Sequence, residues 1–285
     1  MTPALIFQKV RLAREASPFT TSLPTGCSVL VLGRDVDGVE AFWNLIGGES
    51  PAQGKIFRSG AVHSLTREKV GRASVQGYLE SLGGPTLEAL AISRLDDLRR
   101  KSAASLEPAR WAQLEFAAAL CSPAPIVALS AMLDNLDPWG EATLRDAQRA
   151  WGRTTIRFSR NPEQCAHADQ VLILGRQTVL FADTPDHLRR SCLPVTYEVI
   201  TGEPSSALAI CAPYRLEITE TETGFIFTSP EGQEVAAKLL THGYGQVHTV
   251  MERLPSWQDA LFEVCRTTVT GVTQPVPSAT SPIAR

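Results

Sequence analysis

Between residues 28 and 32 the chain reads Ser-Val-Leu-Val-Leu, an unbroken apolar run that stops at Gly33 and gives way to helical spacing over 39–46. A run with no polar alternation has both faces buried, which is the signature of an inner parallel strand. Gly47, Gly48 and Pro51 end the helix that follows. A strand, a glycine turn and a helix in that order need a sheet to join and a layer to lie against. The alternation recurs. A first strand is expected over 5–12 and helices over 86–104 and 109–121. Then come a buried strand over 126–129, a helix over 140–151, a strand over 154–159 and a short helix over 162–167. A terminal hairpin follows over 171–174 and 178–181. The pattern predicts an α/β fold with a mostly parallel sheet covered on both faces.

The charge balance changes near residue 190. Residues 1–190 carry 22 basic and 20 acidic side chains, and 191–285 carry 5 and 10. A boundary is therefore expected there, with a first domain over 1–190, a small α+β domain over 194–270 and a flexible Pro/Ser/Thr tail over 271–285. Strands are expected over 195–200, 215–220, 224–228 and 246–250, and helices over 232–242 and 255–265. The last presents Trp257, Ala260, Leu261 and Val264 as one apolar stripe, open to internal packing or to a dimer contact. With a net charge of −3 and no Lys/Arg cluster, no nucleic-acid partner is expected. No stretch reaches the ~18 apolar residues of a membrane span. The six scattered cysteines show no CxxC pair and the five histidines no ligand spacing, so reduced thiols, no metal and a cytoplasmic setting are the expectation.

The turn after the first buried strand holds Gly33 and Gly38 at the spacing of a phosphate-binding GxxxxGK[ST] loop, in which backbone N–H groups face phosphate, Lys reaches it and a hydroxyl holds magnesium. Here Val39 stands at the lysine position and Glu40 at the hydroxyl position, with Asp35 and Asp37 inside the loop. Carboxylates beside a triphosphate repel it, at a cost on the order of several kcal/mol in a partly buried site.

Further along, residues 45–56, 70–76, 85–90, 106–110, 126–138, 158–161, 168–174, 182–185 and 255–263 are similar, in order and spacing, to the motifs of one family. The chain resembles the ATP-binding subunit of ABC transporters, of the exporter type with a C-terminal extension. The resemblance implies a P-loop NTPase-like nucleotide-binding domain with a helical subdomain over about 78–122. It also places the departures. Ser130 stands where that family has the magnesium-holding aspartate, Ala131 where it has the glutamate that polarises water, and Arg160 where it has the switch histidine. Leu106, Glu107, Pro108 and Ala109 occupy the signature, with Glu107 in place of the serine hydroxyl and Pro108 without an N–H. No tyrosine precedes Tyr78 to stack on adenine, unless Phe19 substitutes. Gln76 and Asp137 are retained.

Phosphoryl transfer relies on positioning and charge, and its charge providers are missing here. The resemblance thus implies an ATPase-deficient subunit that needs no cofactor, with weak ATP binding left open. Its partners would be a transmembrane permease and another ABC-type subunit, as homo- or heterodimer, on the inner face of the plasma membrane and reaching the membrane only through the partner. A regulatory or scaffold protein that keeps the fold is the alternative, and a working ATPase with altered motifs is the third. Plain readings stand beside these. Gln76 is either a coupling residue or a solvated loop glutamine, and Arg160 either an anion ligand or a surface arginine at a strand end. Asp134 and Asp137 read as turn and helix-start residues before Pro138, with Asp137 as N-cap. Trp111 reads as packing.

Overall fold

The apolar run 28–32 is an inner strand of a six-stranded sheet in the computed structural model, which describes residues 2–214, 216–243 and 246–267. The chain divides into two compact units between Pro185 and Asp186. The first opens with β1 (Pro3–Arg11), β2 (Phe19–Pro24), β3 (Ser28–Leu32), α1 (Val39–Gly47), β4 (Gln53–Arg58) and β5 (Val62–Ser64). Four helices follow: α2 (Arg67–Val70), α3 (Val75–Ser81), α4 (Thr86–Ser93) and α5 (Pro108–Cys121). Then come β6 (Ile126–Leu129), α6 (Pro138–Trp151), β7 (Thr154–Ser159), β8 (Gln170–Gly175) and β9 (Thr178–Asp183).

The large sheet has the order β5-β6-β7-β3-β8-β9, parallel throughout except for the β8–β9 hairpin. All residues of β6 and β7 are buried, which is why their sequences lack alternation. On one face, β1, β2 and β4 form a small antiparallel sheet. The core between the sheets centres on Phe42 of α1, whose ring stacks on Phe7 at 5.2 Å and meets Phe158 at 6.2 Å. On the other face α5 and α6 bring Phe116 and Leu144 against Val127 and Leu129 of β6. The helices α3, α4 and α5 share a separate apolar cluster that includes Leu79, Leu90, Trp111 and Leu114. Trp111 is buried there as packing, beneath the Arg67 guanidinium at 4.7 Å.

The helix expected over 86–104 ends at Ser93, because Arg94 takes the left-handed conformation (φ 57°) and 3-10 turns at Asp96–Leu98 and Ala103–Ser105 replace the rest. The residues of β2 and β4 carry little apolar signal. They sit at the edges of the small sheet, with β4 largely exposed, and periodicity missed both.

The second unit begins within α7 (Pro185–Cys192) and contains β10 (Thr196–Thr201), α8 (Pro204–Cys211), β11 (Glu217–Thr221), β12 (Gly224–Thr228), α9 (Gly232–His242), β13 (Val247–Arg253) and α10 (Trp257–Thr267). Its antiparallel sheet has the order β11-β12-β10-β13, which with this succession of elements is the split βαβ, ferredoxin-like arrangement. Helices α7 and α8 are the elements of this unit that the sequence reading lacked. The core is Tyr197, Val199, Phe225, Phe227, Val235 and Leu239. Helix α7 is tied into this unit. Arg189 donates to the carbonyls of Pro255 (2.6 Å) and Leu254 (3.0 Å) and lies over the Trp257 ring at 4.6 Å. Of the stripe on α10, Ala260 and Val264 are buried and Leu261 is half-buried. The tail expected over 271–285 and Arg215, first residue of an expected strand, lie outside the described residues.

Phe42 joins both sheets of the first unit, so Phe42→Ala is expected to destabilise that unit by about 3–5 kcal/mol in urea unfolding. A loss below about 1 kcal/mol would contradict its place at the centre of the core.

Candidate functional site

The loop after β3 closes on itself. Asp35–Asp37 forms a 3-10 turn in which the Asp37 N–H donates to the Arg34 carbonyl (2.8 Å) and the Gly38 N–H to the Asp35 carbonyl (3.3 Å). The Asp37 carboxylate folds back and accepts the Arg34 N–H and the Arg34 Nε, both at 3.1 Å. The β8–β9 turn holds the loop from outside, through the Gln177 N–H on the Asp37 carbonyl (3.1 Å). Gly38 has φ +96°, and a Cβ there would stand 3.0 Å from Leu12 Cδ1 and 3.1 Å from Gln177 Cα, so glycine is required. Val39 turns into the core, beside Gly33, and Glu40 is exposed. Three backbone donors that such a loop would aim at an anion are thus engaged by the chain's own oxygens.

At the end of β6, Ser130 caps a 3-10 turn (Ala131–Asn135), its Oγ accepting the Met132 N–H at 3.3 Å. The same hydroxyl donates to Glu115 Oε2 (2.7 Å), and the Ser130 N–H donates to Glu115 Oε1. Glu115 projects from α5 and is 1% exposed. Burial pushes its carboxyl up to about 7, against the opposing pull of the Ser130 bonds and of Arg157. Ala131 packs against the core.

Next to it, Arg157 of β7 is buried between two acids. Its guanidinium pairs with Asp134 at 3.2 Å and with both carboxylate oxygens of Glu141, one at 2.8 Å, and donates to Gln164 Oε1 at 3.3 Å. Asp134 also accepts the Ser159 hydroxyl (2.8 and 3.0 Å) and the Arg160 N–H (2.8 Å). Asp134 is therefore the hub that ties the turn after β6 to the end of β7, not a residue of local turn chemistry. Arg160 then reaches Asp35 in the glycine loop at 2.9 and 3.1 Å, both side chains exposed.

Gly33, Gly38, Ser130, Ala131 and Arg160 thus line one end of the sheet, at the C-terminal ends of β3, β6 and β7. The remaining candidates make their contacts elsewhere. Gln76 is the second residue of α3 rather than part of a loop, and its Nε2 donates to Glu80 at 2.7 Å. Asp137 is the N-cap of α6, accepting the Gly140 N–H at 2.6 Å, and meets Arg94 at 3.4 Å. Leu106 is buried, Glu107 precedes α5 without a side-chain cap bond, Pro108 is its first residue and Ala109 is exposed. Phe19 is buried against Phe7 and Phe42, so its ring cannot serve as a platform for a base. Among the described residues, no group of three or more His, Cys, Asp or Glu converges as a metal site. Glu115, Arg157 and Glu141 were missed. The one available signal was a glutamate inside an alanine-rich helix whose neighbours are all core residues.

Solved structures share this fold. The cbiO1 of Clostridium perfringens, part of the ABC transporter complex cbiONQ, aligns at a TM-score of 0.54 and 15% identity over 66% of this chain and 91% of that one. A putative metal-chelate type ABC transporter in an inward-facing conformation aligns at 0.53 and 18% identity, over 80% of this chain and 96% of that one. A bacterial Atm1-family ABC exporter with ATP bound aligns at 0.58 and 16% identity, over 66% of this chain and 40% of that one. No protein-family model and no curated sequence matches the chain. The fold is that of an ABC ATP-binding subunit, a mixed α/β nucleotide-binding domain architecture.

Glu115 sets a pH dependence with a definite sign. Its folded carboxyl, at about 7, lies above the ordinary 4.5, so the folded state holds the extra proton and stability falls as pH rises between those values. Glu115→Gln removes that ionisation. The variant is expected to gain on the order of 3 kcal/mol relative to wild type between pH 4.5 and pH 8 in denaturant titrations. A difference that stays constant with pH would contradict the buried, proton-holding carboxyl.

Proposed function

We propose that this chain is an ABC-type subunit that does not hydrolyse ATP and serves as the structural partner of a transmembrane permease and of another ABC-type subunit. The observation that carries this reading is the loop 33–38, closed by the Asp37 carboxylate on the Arg34 N–H. A phosphate entering that loop would have to displace an anion already hydrogen-bonded there, with Asp35 beside it, and would find neither lysine nor hydroxyl at Val39 and Glu40. Ser130 has no carboxylate for magnesium, and its hydroxyl is committed to Glu115. The elements that hold a nucleotide in this architecture have become internal ties.

The partner assignment rests on the shared fold. No helix among the described residues is long and apolar enough to cross a membrane; on the proposed reading the chain reaches the inner face of the membrane through its permease. The cbiO1 subunit that shares the fold is part of an ABC transporter complex.

Three measurements test the reading. A ligand that binds the folded state at ~100 times its dissociation constant adds about 2.7 kcal/mol, so millimolar MgATP is expected to leave the melting temperature of this protein unchanged. An upward shift with MgATP that is absent with magnesium alone contradicts the loss of nucleotide binding. Second, Val39→Lys, Glu40→Thr and Ser130→Asp combined with Asp37→Ala are expected to create measurable ATP affinity, which the first three changes alone do not. Equal affinity with and without Asp37 would overturn the role assigned to its carboxylate. Co-purification from membranes with a multi-span protein supports the permease partner, and recovery without any membrane protein favours a scaffold role instead.

A further inference from the structure

At the N-terminal ends of β3, β7 and β8, on the edge of the large sheet opposite the glycine loop, lies a cavity of about 290 Å³. In a chain of net charge −3 its walls are basic. Arg145 and Arg149 stand four residues apart on α6, and Arg153 follows the helix. No hydrogen bond or ion pair holds Arg145 among the described residues, and Arg149 has a carboxylate, Asp146, at 3.8 Å with both side chains exposed. Arg153 directs its N–H groups to the carbonyls of Ser122 and Ala119 and lies over the Trp151 ring at 4.3 Å, which fixes its position with no carboxylate paired to it among the described residues. Gln148 Nε2 is buried without an acceptor. Across the cavity, burial first and then Arg145 and Arg149 hold the His167 imidazole below its ordinary range, against the opposing pull of Glu141. One acid lines the cavity, Asp169, and its carboxylate is engaged by the Ser28 N–H at 2.8 Å.

We propose that this cavity binds a compact phosphate-bearing anion, with Arg145 and Gln148 as donors, Arg149 at the rim and His167 facing them. A planar carboxylate takes one fork of a guanidinium, whereas donors arriving from several sides suit a tetrahedral oxyanion. The volume lies at the lower end of ligand cavities, enough for inorganic phosphate or a small phosphomonoester and too small for a nucleotide. The proposal does not depend on the function given above.

The test is calorimetric titration of the full chain with inorganic phosphate, with glycerol 3-phosphate and with citrate, alongside NMR of the His167 imidazole. Saturable binding is expected, with the His167 pKa rising as the anion offsets the guanidinium charges. Tighter binding of the ester than of phosphate assigns the site to a phosphomonoester, and equal binding assigns it to free phosphate. Arg145→Gln is expected to weaken binding about tenfold or more without changing the melting temperature, as loss of a charge-assisted donor does. No saturation below about 10 mM, citrate binding as tightly as phosphate, or wild-type affinity in Arg145→Gln would each overturn the proposal.

Discussion

A guanidinium buried inside a sheet is tolerable only when its charge is answered, and Arg157 organises much of the first unit on that account. With 4% of its surface exposed, it lies between Asp134 and Glu141, one from the turn after β6 and the other from α6. Removing one partner from such a group costs roughly 3–5 kcal/mol, because the remaining charge has no water to turn to. The pairing therefore holds the first turn of α6 and the turn after β6 against β7. Asp134 extends the constraint to Ser159 and Arg160, and Arg160 to Asp35 in the glycine loop. That last, exposed link contributes about 0–1 kcal/mol and acts as a positional tie rather than a source of stability.

Glu115 is the counterpart on the other side of Ser130. A carboxyl placed among core residues of a helix is destabilising unless it finds donors, and both Ser130 donors are directed at it. The end of the sheet thus carries a polar network in which the Arg34, Asp37, Gly38 and Ser130 N–H groups find acceptors within the chain, while Arg157 Nε is buried without one. In a loop that cradles phosphate, the open backbone donors are a standing cost that the ligand offsets. Here the Asp37 carboxylate removes that cost.

How much of this was legible in the sequence depended on the physics behind each feature. The inner strands were visible because burial on both faces writes itself as an apolar run, and β7 was read to the residue over 154–159. Asp137 was readable as an N-cap because capping is local, requiring nothing beyond the N–H three residues on. The strands β2, β4 and β5 and the helices α2, α3, α7 and α8 were not, since short, exposed or weakly periodic segments are defined by their neighbours. The site divides along the same line. The turns after β3 and β6, with Val39 and Glu40 opening α1 and Ser130 and Ala131 following β6, could be located by position. The Glu115–Ser130 and Arg157–Asp134 contacts join residues 15 and 23 positions apart and were invisible to any local pattern.

The central claim is that the donors of the glycine loop are engaged by the chain itself and are closed to phosphate. It is tested most directly by following the backbone amide resonances of Arg34, Asp37 and Gly38 during titration with MgATP. The account predicts that these three resonances stay in place through millimolar nucleotide. Saturable shifts centred on them would show that the loop still opens to an anion, and would contradict it.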